Sequence, residues 1–448
     1  MSTPSNAPDI DNNRGPVAAV GGRRLPRRWL AAVVAVWAGF AFTSFASMAA
    51  NYAAVWYVTE TTGSPLALAV VYVCAFLPVG LLAPLGGVVA DRFNRKTVII
   101  VCDLFIAAMA LVVGVAIAVG HVSFPLVLVM ATACGVAQAF RTPSFNATMP
   151  LLVPEKHLLR VNALDNLLSS ISMICAPALG IFLYTTLGFQ AVMFVDVAGA
   201  LLSVLAMLTA SVPTIVAHDV ASQSALQNVT SGWRELSAAK GLPVVVLCVV
   251  LGMMAYGPLD SILPLMVSSH FSGNGYMASL VTAVFGIGML AGSAALMVRG
   301  GSTWLARIIA VAAIVVGLAT MVAGMLPTGM FTVFVIAIGV MAMACAGFNG
   351  PLMTLMQKNV DEEKLGRVMG LLSAFMGLGI PLGTAIGGAV AQGIGVTSFF
   401  VADGAVILTL GAVLLLMPSV RALDARTNAL AAAQPAADAA DAEAVAAE

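Results

Sequence analysis

The chain has 448 residues, of which 60% are hydrophobic and 9% charged, and its 20 acidic and 20 basic side chains leave no net charge. Soluble globular chains carry about a quarter charged residues, so this composition excludes a soluble enzyme and points to a protein embedded in a bilayer. No nucleophile–base set or His cluster stands outside the apolar runs. The six cysteines (Cys74, Cys102, Cys134, Cys175, Cys248, Cys345) lie singly in different runs, which argues against disulfides and a metal site.

Runs of more than about 18 apolar residues, each enough to cross the hydrocarbon core, occupy 29–57, 66–90, 97–119, 124–146, 161–187, 191–210, 243–268, 276–298, 303–326, 330–355, 367–393 and 398–417. The pattern predicts an all-α polytopic membrane protein with twelve transmembrane helices. Units at 29–210 and 243–417 are divided by a polar loop over 211–242, with an arm at 1–28 and an Ala-rich tail at 418–448. An even number of spans puts both termini on one side. All 20 Lys and Arg fall on that side, in the termini, in its loops or near the span ends that border them, and basic loops stay in the cytoplasm. Loops on the other side, such as 59–65 and 120–123, carry none.

The arm 1–28 is polar and expected to be disordered, with Arg23, Arg24, Arg27 and Arg28 beside Trp29 as a topology anchor suited to anionic lipid. The first span carries Phe42 and Phe45, then Asn51, Tyr52, Trp56 and Tyr57 towards its outer end. Trp56 and Tyr57 read as an interfacial aromatic belt. Between the second and third spans the chain runs G-V-V-A-D-R-F-N-R-K from Gly87 to Lys96. A positive-inside anchor would need only the bases. Gly87, four residues before Asp91, also permits close approach of another backbone, and Asp91 suits the positive N-terminus of a neighbouring helix.

This segment resembles the G-x-x-x-D-R-x-G-R-K signature of the major facilitator superfamily. Asn94 stands where that family usually has Gly, and Asn tolerates left-handed backbone geometry better than most residues. The resemblance implies two pseudo-symmetric six-helix bundles that work by alternating access. It also implies a conformational latch formed by Gly87, Asp91, Arg92, Arg95 and Lys96, with Arg367 at the start of the eleventh helix as the partner across the bundle interface.

Asp103 lies seven residues beyond Lys96, about 10 Å into the bilayer at about 1.5 Å per residue. An ionisable group there is costly and normally partnered. Arg141 lies at similar depth and is the expected partner; a proton-carrying role for Asp103 is the alternative. From Phe140 to Leu164 the chain contains P-S-F-N-A, L-V-P and L-L-R-V-N-A-L. This phrase resembles the drug:proton antiporter branch of the superfamily, which includes macrolide efflux proteins and siderophore exporters. The fifth span places Ser172, Ala176 and Gly180 at intervals of four around Pro177, a small-residue face for close helix contact. It resembles, in weakened form, the antiporter motif G-x-x-x-G-P-x-x-G-G.

Within 211–242, Ser231 to Leu236 reads either as a short amphipathic helix on the membrane or as part of a tether. The two halves are related by repetition. Phe140 and Pro143 recur as Phe348 and Pro351, while Val153, Leu158, Arg160 and Val161 recur as Val360, Leu365, Arg367 and Val368. Gly379, Gly383 and Gly387 repeat the small-residue face in the eleventh span. Asp196 recurs as Asp403, and the pair reads as two helix-start acids. The second copy of the latch is degenerate: it ends at Arg299 with no acid, so Arg299 is expected to look to Asp165 or Glu155. After Met417 the tail reads as solvated and without chemistry.

Asp260 follows Gly257 and Pro258 in the seventh span, about 26 Å from the basic end. The proline is expected to break the helix locally, and no Lys or Arg lies at that depth. Asp260 and Asp103 are therefore the proton-coupling candidates. Phe42, Phe45, Gln138, Met253, Met254, Tyr256, Met341 and Met343 are the candidates for a substrate cavity, because aromatic and thioether groups suit an apolar ligand of loose shape. The resulting expectation is an efflux transporter of the bacterial cytoplasmic membrane, monomeric, driven by protons and exporting an apolar or amphipathic small molecule. No cofactor and no nucleic-acid partner are expected. A solute importer of the same fold and a transport-inactive membrane scaffold are the alternatives.

Overall fold

The computed structural model describes residues 19–20, 23–24, 29–153, 155–209, 233–237, 241–299 and 304–429. Twelve helices in it are long and apolar enough to cross a membrane. The first six are α1 (Trp29–Thr62), α2 (Pro65–Arg92), α3 (Arg95–Ala118), α4 (Phe124–Leu152), α5 (Glu155–Leu187) and α6 (Phe189–Thr209). The second six are α7 (Leu242–Leu265, extended by a π-helical turn at Met266–His270), α8 (Gly275–Arg299), α9 (Leu305–Met325), α10 (Phe331–Asn359), α11 (Glu362–Ile394) and α12 (Val396–Leu416). A further helix, α13, covers 418–429. Of the arm, only a two-residue ladder pairing Ala19–Val20 with Arg23–Arg24 is described; the remainder, including Arg27 and Arg28, lies outside the described residues.

The helices are set by local chemistry at their ends. Ser64 accepts a hydrogen bond from the N–H of Ala67 and Pro65 opens α2, so a side-chain cap and a preset φ start the helix together. At the next turn Asn94 has φ −64° and its Oδ1 accepts from the N–H of Lys96 at 3.0 Å. Asn94 therefore caps α3 in an extended conformation, and the left-handed geometry expected of it is not used.

The seventh helix corrects a second expectation, since α7 continues without interruption through Pro258. Pro258 deprives the Met254 carbonyl of its usual donor, and Gly383 of α11 lies against that same carbonyl, where a side chain would collide. The helix stays regular across the proline, and the missing side chain at Gly383 lets α11 pack directly on the freed carbonyl. The irregular turn comes later, at Met266–His270.

Packing follows the repeat. Within the first half α1 meets α5 and α6, α3 meets α4 and α6, and α2 meets α4; within the second, α7 meets α11 and α12, α9 meets α10 and α12, and α8 meets α10. Every pair maps onto its counterpart six helices later. Between the halves the main contacts are α2 with α11 and α5 with α8, which again exchange under the same operation. Gly80 of α2 touches the Gly377 carbonyl of α11, and Gly286 of α8 sits against Ile174 of α5. The small-residue face of α5 is used inside the first half, where Gly180 lies against the Ala49 carbonyl of α1.

The buried core shows where the halves are joined. One continuous cluster includes Trp56, Leu68 and Ile181 of the first half and Val245, Phe285 and Phe334 of the second. At the end carrying the basic loops, Val33, Ile99, Phe145 and Leu152 form a separate cluster confined to the first half.

Two peripheral segments pack on the bundle: of the two readings left open for the central loop the helix is found, and the tail departs from expectation. Residues 233–237 of the central loop are helical and dock on α11: Leu236 is buried, Glu235 pairs with Lys364 at 3.2 Å, and Trp233 meets Phe375 edge-on. The first part of the tail is not solvated. On α13, Val420, Leu423, Asp424 and Thr427 are buried, because this amphipathic turn covers the basic ends of α9 and α10.

Candidate functional site

The first half holds a buried polar network on α1, α3, α4 and α6. Arg141 Nε donates to Asp103 Oδ1 at 2.6 Å, the expected pair. Ser203 donates to Asp103 Oδ2 at 2.6 Å, and Arg141 Nη1 donates to Ser44 at 3.3 Å. The guanidinium also lies over the Phe40 ring, 4.1 Å from its centroid. Both charged residues are at most 1% exposed, so the carboxylate is matched by one cation and one hydroxyl in an environment that strengthens each bond. Ser44, Ser203 and Phe40 carry no motif in the sequence; nothing in a serine 100 residues away signals its contact with Asp103.

The symmetric acids differ from each other. Asp196 is buried and accepts from Ser47 at 2.6 Å, whereas Oδ2 of Asp403 is buried without a partner. Neither stands at a helix start, because α6 begins at Phe189 and α12 at Val396, two turns earlier, and the first turn of each lacks an acid. The helix-start reading of this pair is corrected accordingly.

The latch residues gather at the basic end. Arg95 donates to the carbonyls of Ala90 and Ala147, both at 2.9 Å, and reaches Asp91 at 3.5 Å. Lys96 Nζ donates to the Leu208 carbonyl at 3.0 Å. Arg92 and Arg367 are exposed, Asp91 is 46% exposed, and nothing lies within 4 Å of a side chain built at Gly87, Gly366 or Gly370. Asp91 and Arg367 are therefore not engaged with each other. The side chains of Arg299 and Glu155 lie outside the described residues.

The opposite end is closed. Ser64 donates to Gln392 at 2.8 Å, Thr185 and Tyr276 share a hydrogen bond at 2.7 Å, and Tyr52 and Thr282 share one at 3.2 Å; each joins the two halves. Trp56 is 2% exposed, donates to Glu60 at 2.8 Å and sits beside Gly275 of α8. Tyr57 stacks on Phe189. The reading of Trp56 as an interfacial belt residue is corrected: it is a plug between the halves. Glu60 also accepts from Tyr184 at 2.7 Å, binding α1 to α5.

Inside the second half lies a cavity of about 240 Å³, walled by α7, α8, α9, α10 and α12 and touched by Met173 of α5. Its lining is apolar and rich in sulfur, with Cys248, Met253, Met289 and Cys345, and it includes Tyr256, Phe285 and Asn349. Of the eight cavity candidates, Met253 and Tyr256 line it. Met254 of α7 packs against α11 beside Gly379 and Gly383, and Met341 is buried between α9 and α10, accepting from Thr320. Met343 and Phe42 are exposed, Phe45 is half-buried, and Gln138 accepts from Thr142 at 3.4 Å.

One helical turn beyond Tyr256 stands Asp260, an exposed side chain with no hydrogen bond or ion pair among the described residues. It lies on the same face of α7 as Tyr256, and α7 borders α1 and α2 of the first half. At the basic end, Asp424 of α13 accepts from the N–H groups of Ala306 and Arg307 at 2.9 and 3.1 Å. Burial raises its carboxyl above the usual range, and the two backbone donors and Arg307 offset part of that rise.

Comparison with known proteins agrees with this architecture. The chain matches the transmembrane secretion effector family over residues 30–444. It is 29% identical over 383 residues to macrolide efflux protein A of Streptococcus pyogenes, covering 85% of this chain and 95% of that one. It is also 29% identical over 309 residues to macrolide efflux protein A of Enterococcus faecalis, covering 69% and 96%. Among solved structures, an inward-facing, unoccupied bacterial homologue of the human lysosomal transporter Spinster superposes with a TM-score of 0.65 at 16% identity, covering 90% of this chain and 98% of that one. The chain is a multi-pass membrane transporter of the major facilitator superfamily and belongs to its transmembrane secretion effector family.

Proposed function

We propose that the protein is a secondary active efflux transporter of the bacterial cytoplasmic membrane that exports an apolar or amphipathic small molecule in exchange for protons. The observation that carries this reading is the asymmetry of the two ends. Hydrogen bonds and the Trp56 plug join the halves at the end without basic loops, while at the basic end Asp91 turns to Arg95 of its own half and does not engage Arg367. With the basic end in the cytoplasm, this is the inward-open member of an alternating pair. Rocking of 29–210 against 243–417 about the α2–α11 and α5–α8 contacts supplies the other. The similarity to macrolide efflux proteins supports the outward direction.

Coupling is assigned to Asp260. It is exposed, has no hydrogen bond or ion pair among the described residues, and is placed towards the outer face. Asp103 holds Arg141 and Ser203 instead, so protonating it would break a buried ion pair. The test is accumulation of a lipophilic substrate in inverted vesicles with and without an inward-acid proton gradient. Gradient-dependent uptake is expected, and Asp260→Asn should lower it by at least about tenfold, a change of about 1.4 kcal/mol in the driven barrier. Uptake indifferent to the gradient, or unimpaired in Asp260→Asn, contradicts the reading.

A further inference from the structure

The apolar cavity of the second half stands where the first half keeps its buried ion pair. The repeat that relates Phe140 to Phe348 and Asp196 to Asp403 carries Arg141 of α4 to Asn349 of α10, and Ser203 of α6 to Leu410 of α12. Helix packing supplies the register of the other elements. Gly114 of α3 packs on Met193 of α6 as Gly324 of α9 packs on Phe400 of α12, so Asp103 corresponds to Ala313. Gly180 of α5 meets Ala49 of α1 as Gly387 of α11 meets Pro258 of α7, so Ser44 corresponds to Met253 and Phe40 to Val249. Every member of the first-half network thus has its counterpart in the cavity wall: Val249, Met253, Ala313, Asn349 and Leu410 all line it. The carboxylate has become a methyl group and the guanidinium a shorter carboxamide, and the void opens at the place that the ion pair fills in the other half.

We propose that this vacated place is a ligand subsite that takes an uncharged ring, with a hydrogen-bonding substituent of the ring meeting Asn349. The inference rests on the export reading and narrows its substrate class. Close-packed interiors leave few voids larger than a water molecule, and an apolar void of ring size stays dry and accepts apolar guests. No charged side chain lines the cavity of about 240 Å³, so an ionised group entering it would lose its hydration and gain no countercharge. Val316 of α9 and Ile407 and Leu414 of α12 are buried and seal one wall. Asn349 is the exposed one of the lining residues, and its side chain has no hydrogen bond among the described residues. A carboxamide both donates and accepts, which suits a ketone or hydroxyl on the ring. Met173 comes from α5 of the first half, so a guest in the cavity touches both halves. The thioethers of Met173, Met253 and Met289 adapt to rings of differing outline.

The probe is 3-phenyl-3-(trifluoromethyl)diazirine, a neutral ring that loses N2 under ultraviolet light and leaves a carbene, which inserts into a neighbouring C–H bond. Purified full-length protein in nanodiscs is labelled without a gradient, and adducts are mapped by peptide mass spectrometry, with exposed Leu318 on α9 as the lipid-side reference. Adducts are expected on Phe285, Met289 and Leu410. Acetophenone should suppress them several-fold without changing the Leu318 adduct, whereas benzoate and benzyltrimethylammonium should not. Ala313→Phe, which fills the cavity, should lower them several-fold. Asn349→Leu should make protection by acetophenone roughly fivefold weaker, the worth of one neutral hydrogen bond, and leave protection by ethylbenzene unchanged. This second contrast keeps the cavity open and holds even where Ala313→Phe fails to fold. No cavity adducts, adducts that acetophenone does not displace, as when a lipid chain fills the void, or equal protection by the charged rings overturns the subsite. Vesicle export measured in parallel separates the two readings: driven export without protected labelling overturns this subsite alone, whereas protected labelling without driven export supports the subsite and overturns the export reading.

Discussion

Asp103 and Arg141 show what a buried ion pair does in the first bundle. Removing one partner strands a charge away from water and costs about 3–5 kcal/mol, whereas replacing both with apolar groups is often close to neutral. Asp103→Ala should therefore lower the thermal unfolding temperature clearly, and Asp103→Leu with Arg141→Leu should recover most of the loss. A double variant less stable than the single one contradicts this account. At the latch, Asp91 makes no ion pair with the second half among the described residues, so Asp91→Asn should leave this conformation intact and weaken only one in which the basic end closes. Cysteines placed at the basic end should then become more accessible to a membrane-impermeant thiol reagent, and unchanged accessibility excludes the latch. The Asp103–Arg141 pair was legible because both charges lie at one depth in otherwise apolar helices. Ser203 and the cavity cysteines were not, since serine and cysteine are ordinary in apolar helices, and only helix rotation decides what they face.

At the scale of elements, spans were readable because bilayer thickness demands long apolar runs. Their ends were less so: α4 continues to Leu152, α5 starts at Glu155 and α11 starts at Glu362, because helices run past the hydrocarbon boundary into the basic loops. Proline at 258 misled for a related reason. Proline in a helix does not by itself dictate a break, and here α7 stays regular with Gly383 of a distant helix packed on the freed carbonyl. The tail helix α13 was read as solvated because Ala-rich composition hides its buried face. Its Asp424 caps α9, and side-chain caps are worth about 1 kcal/mol. Asp424→Ala should therefore speed amide exchange at Ala306 and Arg307 and expose 418–429 to proteolysis, while Arg426→Ala, on an exposed position, should do neither. Equal protection in Asp424→Ala and the wild type contradicts the cap.

For the whole molecule, pseudo-symmetry was visible in the sequence through pairs such as Arg160 and Arg367, and the helix contacts repeat with the same offset. The conformation was not visible, because one sequence serves both states. The central claim is that the two halves rock about contacts such as Gly80 with Gly377 while the ends open in turn. Spin labels at positions 63 and 393 report the opposite end, and labels at 92 and 366 report the basic end, in full-length protein whose other cysteines are replaced. Distance distributions from electron–electron double resonance, taken across a pH series and with a lipophilic substrate added, provide the measurement. The account predicts two populations in which a longer 63–393 distance accompanies a shorter 92–366 distance. Distances that stay fixed, or that lengthen and shorten together, would contradict it.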